Sequence, residues 1–326
     1  MRALGYVRGR SLAEAARLLA EGGGEFVAGG TDLVQRLEDG VLPPARLVDV
    51  KPGDGLDAIQ IDGDEVRLGA LVRLAEVIEH AELRRALPVL VEALEATASP
   101  QVRNLATVGG NPLQRTRCLY FRDPTLPCNR RAPNSGCGAR EGRNRNTAIL
   151  GTSEHCIAAH PSDFAVALAA LDTEVETSRG RTLSLLDLHR LPGTVPEREH
   201  VLDPGELIRS LRLERSTLAE RSHYLKVQDR GEFEWALCSA AVAVDLDDGG
   251  GIRAARVAVG GFATKPWRLP RVEAALVDRQ PGPALFREAA ARAVEGAQPR
   301  GENAFKLELL PRTIARALEE LHEARP

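Results

Sequence analysis

Arg103-Asn104-Leu105-Ala106-Thr107-Val108-Gly109-Gly110-Asn111 opens the stretch around which the 326-residue chain is organised. Residues 112–159 follow it with neither a helical nor a strand period, until His160-Pro161-Ser162-Asp163. A compact domain rarely carries so long a structureless loop unless the loop is functional, disordered, or fixed by something other than a hydrophobic core. Four of the five cysteines of the chain lie in this loop. Their sulfurs are soft ligands, and a metal bound to them could hold the loop in place of a hydrophobic core.

The bulk properties of the chain exclude several classes of protein. A length of 326 residues exceeds what one hydrophobic core usually serves, so two or three domains are expected. A net charge of -3 argues against nucleic acid as a partner. No apolar run approaches the length of a membrane span, and the N-terminus lacks the apolar region of a signal peptide. We therefore expect a cytoplasmic chain at synthesis, which reaches the periplasm only if a partner subunit carries it there folded.

The cysteine loop has the composition of a metal site. Five cysteines in so long a chain are not a disulfide framework, and the clustering of four favours a metal. Between Pro112 and His155, eight arginines stand against three acidic residues, an excess of five that suggests an anionic partner or an anionic group inside the loop. Zinc and four idle thiols remain alternatives, although the paired C-x-x-C spacing of zinc sites is missing. Cys238 stands alone in an apolar context and is predicted to be a buried thiol.

Two glycine turns predict an anion site. Phe26-Val27-Ala28 is a short strand that runs into Gly29-Gly30-Thr31-Asp32-Leu33, after which Val34 to Leu37 resume a helical pattern. Glycines let the backbone approach a ligand closely, and the free N–H groups and the Thr31 hydroxyl offer donors to a diphosphate. The alternative is a tight turn with a helix cap at Thr31 or Asp32. The pattern is neither a Rossmann nor a P-loop motif.

The second glycine turn, Thr107 to Asn111, follows a single helix predicted from Leu83 to Leu94. Two such turns can clamp one dinucleotide from both sides. Asp163 begins the next predicted helix, Phe164 to Leu171, either as its cap or as an acceptor beside a cofactor ribityl chain. A hairpin is predicted around Asp62-Gly63-Asp64. From about His223, an antiparallel meander is predicted, followed by helices near 283–295 and 311–322.

Three segments in order carry a family resemblance: Val27 to Leu33, Arg103 to Asn111, and Lys226-Val227-Gln228-Asp229-Arg230. Together they resemble the FAD-binding subunit of the molybdenum hydroxylases, along essentially the whole chain. The resemblance implies an α+β fold. Its FAD-binding domain would span 1–215, with a small α/β lobe at 1–52 and a mixed or antiparallel sheet lobe at 53–215. A C-terminal domain at 220–326 would hold an antiparallel sheet with helices.

The loop at 112–159 points to one subgroup of this family. In most members of the family, only a few residues separate the Gly-Gly-Asn turn from the following aspartate. Such an insertion is similar to that of the flavoprotein subunit of bacterial periplasmic-type aldehyde oxidoreductases, where it holds a [4Fe-4S] cluster. A cluster needs four converging thiolates, which an irregular loop with intervals of nine, eight and eighteen residues can supply. The nearby arginines would offset its negative charge. The resemblance implies four ligands: Cys118, Cys128, Cys137 and Cys156.

The resemblance also implies which residues hold FAD. Asp163, Ile208 and Lys226 would lie near the ribityl chain and the flavin ring, where the Lys226 cation would stabilise the anionic reduced flavin. The diphosphate and adenosine would be held by Phe26, Val27, Ala28, Gly29, Gly30, Thr31, Asp32, Leu33, Val34, Thr107, Gly109, Gly110 and Asn111.

The function implied is electron transfer within a molybdenum-dependent aldehyde oxidoreductase. Electrons would arrive from a molybdopterin-containing large subunit through a [2Fe-2S] small subunit and leave through FAD and the [4Fe-4S] cluster to an external acceptor. No residue of this chain would bind the organic substrate. Two alternatives stay open at this point: the flavin subunit of a 4-hydroxybenzoyl-CoA reductase-type enzyme, which drives electrons towards molybdenum, and a zinc-binding adaptor without redox activity.

Overall fold

Three sheets organise the computed structural model, which describes residues 4–51 and 55–324. They have three, five and four strands in chain order, with helices packed against each. The α+β class predicted from the sequence is confirmed. The predicted boundary between the first two lobes, at residues 52 and 53, lies outside the described residues. Within those residues, no helix is both long and apolar enough to cross a membrane.

The first sheet is parallel, with strand order β1-β3-β2. Helix α1 begins where the Ser11 side chain accepts a hydrogen bond from the Glu14 N–H, which satisfies one of the free donors of the first turn. Val48 and Ala15 form the centre of a small core between this helix and the sheet. The elements are β1 (Gly5–Arg8), α1 (Leu12–Gly22), β2 (Glu25–Val27), α2 (Leu33–Glu38) and β3 (Arg46–Asp49).

The second sheet is antiparallel, with strand order β4-β5-β8-β6-β7. Its first two strands form the hairpin predicted around Asp62-Gly63-Asp64. The strands are β4 (Ile59–Asp62), β5 (Glu65–Gly69), β6 (Glu174–Thr177), β7 (Thr182–Ser184) and β8 (Ile208–Glu214). The helices between them are α3 (Leu74–Glu79), α4 (Ala81–Ala86), α5 (Pro88–Glu95), α6 (Pro100–Arg103), α7 (Leu119–Arg122), α8 (Asp163–Ala170) and α9 (Leu185–Leu188).

The single helix predicted from Leu83 to Leu94 is wrong, because the chain forms two helices that meet at Leu87. Pro88 has no N–H to continue the ladder, and its ring disfavours the helical conformation of the preceding residue. Leu87 accordingly has φ -137° and ψ 56°. The helical spacing of the apolar residues still predicted correctly which side chains are buried, since Leu83, Leu87 and Leu94 are fully buried.

The third sheet is the predicted antiparallel meander, with strand order β12-β11-β10-β9. Its strands are β9 (Ser222–Val227), β10 (Cys238–Leu246), β11 (Ile252–Gly260) and β12 (Trp267–Arg268). The helices are α10 (Thr217–Glu220), α11 (Pro270–Leu276), α12 (Pro283–Ala290) and α13 (Lys306–Ala324). The last helix starts earlier than predicted and includes Pro311 near its N-terminal end. Short 3-10 helices cover Asn111–Leu113, Ala291–Val294 and Gly301–Asn303.

The C-terminal sheet and the second lobe share a core. Tyr224, Ala241 and Ala258 of the third sheet belong to the same buried cluster as the helices of the second lobe. At its rim, His223 of β9 hydrogen-bonds two carboxylates: Nδ1 lies 2.8 Å from Glu92 of α5, and Nε2 lies 3.0 Å from Glu320 of α13. This imidazole therefore links three elements of the fold.

We predict that His223 makes the stability of the protein depend on pH. Burial alone lowers the pKa of His223, but the hydrogen bonds and charges of Glu92 and Glu320 outweigh it and raise that pKa above its ordinary value of 6.5. The folded state therefore binds the proton more tightly, and the stabilisation is complete below pH 6.5 and lost as the pH rises through the raised value.

Urea unfolding of the wild type and His223→Gln between pH 5.5 and 9 measures this effect. The difference in free energy of unfolding between the two proteins should shrink as the pH rises, and Glu320→Gln should give a smaller change of the same sign. A difference that is constant across this range would contradict the prediction.

Candidate cofactor site

The two glycine turns predicted from the sequence touch each other. A Cβ atom on Gly29 would lie 1.9 Å from the carbonyl oxygen of Leu105 and 3.1 Å from Cα of Ala106, so only glycine fits at this position. Gly30 has a φ of +74°, in the left-handed region that favours glycine. The close approach joins the first lobe to the second lobe at the backbone level.

The second turn is held in place by backbone hydrogen bonds to the segment after β5. The N–H of Val108 donates to the Val72 carbonyl at 2.9 Å, and the N–H of Gly109 donates to the Ala70 carbonyl at 2.9 Å. A Cβ atom on Gly109 would lie 2.6 Å from Cβ of Ala70. The second turn is therefore fixed to the segment after β5 on one side, and it contacts the first turn on the other.

A cleft of about 810 Å³ runs along both turns. This volume lies in the range typical of sites for large organic ligands. The segment Leu202 to Ile208, which leads into β8, also lines it. Within the described part of the chain, the N–H groups of Gly29 to Leu33 donate no hydrogen bond. Unpaired backbone donors beside the start of a helix form a binding surface for an anion such as a diphosphate.

Asp32 lies in this donor-rich turn but does not cap α2, since its side chain makes no capping hydrogen bond. Its carboxylate instead accepts from Arg117, from Arg122 at 2.7 Å and from the backbone N–H of Arg115 at 3.1 Å. Arg36 also contributes, with its Nε 3.4 Å from the same carboxylate, so three guanidinium groups surround Asp32. The negative charge of Asp32 is compensated before any anionic ligand arrives.

A second cavity of about 440 Å³ adjoins the cleft. Arg117 and Trp235 line both spaces, and the Arg117 guanidinium lies 4.4 Å from the centroid of the Trp235 ring. Cys118 and Asp163 line the second cavity only. Two adjoining cavities that share one boundary give room for an elongated ligand.

Asp163 is a fixed, buried acceptor and not the cap of α8. Ser162 is the cap, because its side chain accepts from the Ala165 N–H at 2.9 Å. The Asp163 carboxylate accepts from the Tyr224 hydroxyl at 2.6 Å and from Lys226 Nζ at 2.9 Å. Burial, together with the Asp163 charge, raises the pKa of Tyr224 well above its ordinary value. The hydroxyl therefore stays protonated and keeps donating to Asp163.

Hydrogen bonds hold the two ends of the 112–159 insertion close together at the site. The Ser162 hydroxyl donates to Oδ1 of Asn111 at 2.6 Å, and His160 Nε2 lies 3.1 Å from the Pro112 carbonyl oxygen. Burial lowers the pKa of His160 to about 4, so the ring is neutral at physiological pH and one protonated nitrogen donates to that carbonyl. Asn111 and Asp163 consequently stay close despite the long insertion between them.

Fourteen of the sixteen residues predicted to hold FAD line these two spaces. Val34 lines neither and is 47% exposed, because α2 turns its side chain outwards. Lys226 also lines neither and reaches the second cavity only through its contact with Asp163. Direct contact of FAD with individual side chains stays a prediction. The residues that line the cleft or cavity as predicted are Phe26, Val27, Ala28, Gly29, Gly30, Thr31, Asp32, Leu33, Thr107, Gly109, Gly110, Asn111, Asp163 and Ile208.

Sequence reasoning missed Arg117 and Trp235 as boundary residues of the site. Nothing in the local pattern distinguishes Arg117 from the other arginines of the loop, and Trp235 lies in an irregular segment between β9 and β10. An aromatic residue close to the Lys226-Val227-Gln228-Asp229-Arg230 segment was the one available signal. Their contact depends on the packing of two segments that are far apart in sequence.

The four loop cysteines are free thiols that accept backbone hydrogen bonds. N–H groups of Tyr120 and Phe121 donate to Cys118, and three others donate to Cys137. Cys128 and Cys137 pair across an isolated antiparallel bridge. Burial raises the pKa of the Cys118 thiol to about 12, and the charges of Cys156 and Cys128 act in the same direction. Within the described residues, no three His, Cys, Asp or Glu side chains form a group arranged to hold one metal ion.

Acids from outside the loop offset part of its arginine excess. Asp32 of the first lobe forms salt bridges with Arg117 and Arg122, and Glu199 forms salt bridges with Arg115 and Arg130. The four arginines outnumber the two carboxylates, so a net positive charge remains. These ion pairs attach the loop to two segments that line the cleft.

Two adjoining glycine turns with free backbone donors, above a long cleft that continues into a second cavity, define a dinucleotide-cofactor protein without Rossmann or P-loop topology. Residues 2–213 match the family model described as "FAD binding domain in molybdopterin dehydrogenase". Residues 223–321 match the "CO dehydrogenase flavoprotein C-terminal domain". The chain belongs to the family of FAD-binding subunits of the molybdenum hydroxylases, and the resemblance stated from its motifs is confirmed. It is an oxidoreductase subunit.

Relatives agree with this assignment. The chain is 44% identical over 327 residues to the aldehyde oxidoreductase FAD-binding subunit PaoB of Escherichia coli, with 98% of each chain covered. It is 24% identical to the glyceraldehyde dehydrogenase medium chain of Sulfolobus acidocaldarius, with 97% of each covered. The structure of reconstituted CO dehydrogenase from Oligotropha carboxidovorans has the same fold, with a TM-score of 0.76 at 21% identity, covering 100% of this chain and 99% of that one.

We predict that Gly29→Ala weakens FAD binding at least about tenfold, or about 1.4 kcal/mol. The added methyl group would overlap the Leu105 carbonyl and force the two turns apart. Flavin content after purification and the FAD dissociation constant from fluorescence quenching measure the effect. Gly301→Ala is the matched control, because its Cβ meets no atom within 4 Å. Wild-type affinity in Gly29→Ala would contradict the placement of the diphosphate at this turn.

Proposed function

We propose that this chain is the electron-transfer flavoprotein subunit of a molybdenum-dependent aldehyde oxidoreductase. Electrons from a molybdopterin-containing subunit and a [2Fe-2S] subunit would pass through FAD and a [4Fe-4S] cluster of this chain to an external acceptor. The aldehyde assignment is supported by 44% identity with a subunit named for aldehyde oxidation, along nearly the whole of both chains.

FAD fits the residues that are present. The free N–H groups of Gly29 to Leu33 match the acceptor-rich diphosphate, and the cleft and second cavity match a cofactor with two bulky ends. Asp163, held by Tyr224 and Lys226, places a carboxylate on the wall of the second cavity, where it would accept hydrogen bonds from hydroxyl groups of the cofactor. The buried Lys226 lies behind Asp163 with its Nζ 2.9 Å from the carboxylate, so the Asp163 charge offsets its positive charge.

A [4Fe-4S] cluster fits the donor set of the insertion. Each of its irons binds one thiolate, and the sulfurs of a cluster therefore lie farther apart than four ligands of a single ion. Backbone N–H groups already donate to Cys118, Cys128 and Cys137, which would stabilise their thiolate forms as ligands. When bound, FAD supplies exchange of one or two electrons and the cluster supplies transfer of one.

The observation that carries the proposal is the position of Cys118. This cysteine of the insertion lines the same cavity as Asp163, which the family resemblance assigns to the FAD site. A cluster bound through Cys118 would adjoin that cavity, and electrons would need no third carrier between the two centres. The hydrogen bond between Ser162 and Asn111 holds the two ends of the insertion together beside this cavity.

We predict that Cys137→Ser removes most of the iron and sulfide while it leaves most of the FAD in place. Cys137 lies outside the cleft and the second cavity, so its loss should affect the cluster first. Cys238→Ala is the control: that thiol is buried in the C-terminal core, away from the loop, and its loss should leave the iron content unchanged.

Anaerobic purification with iron, sulfide, zinc and flavin counted per chain measures both variants against the wild type. The wild type should contain about four irons and one FAD. Stoichiometric zinc without iron would support the adaptor alternative and overturn the redox proposal. Unchanged iron in Cys137→Ser would show that the ligand assignment is wrong.

A further inference from the structure

Arg130 is a buried arginine that contacts one of the loop cysteines. Only 6% of the residue is exposed. The residues next to Arg130 and Cys156 are in contact, since the Asn129 side chain donates to the His155 carbonyl at 3.0 Å. The Arg130 guanidinium interacts with the Cys156 side chain and with the charge of Cys118. On the other side, Nη1 lies 2.9 Å from Oε2 of Glu199. A guanidinium has donors in a rigid fork, so one arginine can bind a sulfur and a carboxylate together.

Glu199 comes from a distant part of the chain, between α9 and β8, and lines the FAD cleft. Its second oxygen pairs with Arg115, so two guanidinium groups share one carboxylate. Two positive charges and one negative charge leave a net +1 beside Cys156. All three side chains are largely shielded from solvent, so counter-ions screen this charge poorly.

The charge of Arg130 is permanent, because a guanidinium stays protonated across the pH range in which proteins are folded. Arg130 therefore acts as a fixed cation at every pH at which the protein is folded. No titration in the loop is needed for its effect.

We propose that Arg130, oriented by Glu199, sets the reduction potential of the cluster held by the loop cysteines. The inference rests on the proposed function. A cluster gains negative charge when it is reduced, and its potential depends on nearby charge and on hydrogen bonds to its sulfurs. A buried cation beside a ligand sulfur stabilises the reduced state. Glu199 weakens that effect and also fixes the orientation of Arg130, so Arg130 and Glu199 act on the potential in opposite directions.

Charge substitutions with opposite signs test this inference. Arg130→Gln should lower the ratio of reduced to oxidised cluster at a fixed potential at least tenfold, which is about 59 mV for one electron. Glu199→Gln removes a negative charge and should shift the ratio in the other direction. Arg130→Lys keeps the charge and should fall between the wild type and Arg130→Gln. Arg312→Gln removes an exposed arginine of the C-terminal helix, outside both cavities, and should leave the ratio unchanged.

The readout is an anaerobic redox titration of the full chain, followed by the electron paramagnetic resonance signal of the reduced cluster, with iron and sulfide counted in each protein. Shifts of opposite sign in Arg130→Gln and Glu199→Gln support the inference, because a merely structural role would not reverse sign. If Arg130→Gln loses its cluster, Glu199→Gln and Arg130→Lys still test the two signs.

The outcomes separate this inference from the proposed function. A wild-type chain without iron and sulfide overturns the cluster itself. A wild-type chain with about four irons, and variants with the same iron content and an unshifted potential, overturns only the role of Arg130. Shifts of the same sign in Arg130→Gln and Glu199→Gln also contradict it.

Discussion

The contact between Gly29 and the Leu105 carbonyl is the constraint on which the site depends. No side chain fits there, so the backbones of the two lobes meet directly and the free N–H groups of the first turn face the cleft beside the second. A larger residue would separate the lobes and open the binding surface. One sterically required glycine thus couples the packing of the lobes to cofactor binding.

Ion pairs attach the cysteine insertion at 112–159 to the two lobes. Asp32 and Glu199 both line the cleft, and each binds two arginines of the loop. Near its start, Phe121 and Cys128 of the loop form a small buried cluster with Val41 of the first lobe, and towards its end Ile149 and Leu150 join the C-terminal core. Ion pairs and backbone hydrogen bonds add to this apolar packing. The same charges lie where a redox centre would respond to them.

Much of the architecture could be predicted because local chemistry was enough. Alternation and turn residues predicted the β4–β5 hairpin and the C-terminal meander, and the glycine turns predicted a cofactor cleft that the family match supports. Errors arose where a neighbouring residue competes with a pattern. Pro88 divides a continuous apolar period into two helices, and Ser162 takes the capping position that Asp163 also suits.

The sequence by itself determined the β4–β5 hairpin, the C-terminal meander, the two glycine turns and the clustering of four thiols, because these follow from periodicity, backbone freedom and composition. Only the tertiary structure decided which charges pair. It brought Glu199 to Arg130, Lys226 to Asp163, and Trp235 to Arg117, across separations that no local pattern encodes. The physical reason is that a side-chain contact between distant segments depends on how whole elements pack, whereas a turn or a strand depends on residues a few positions apart.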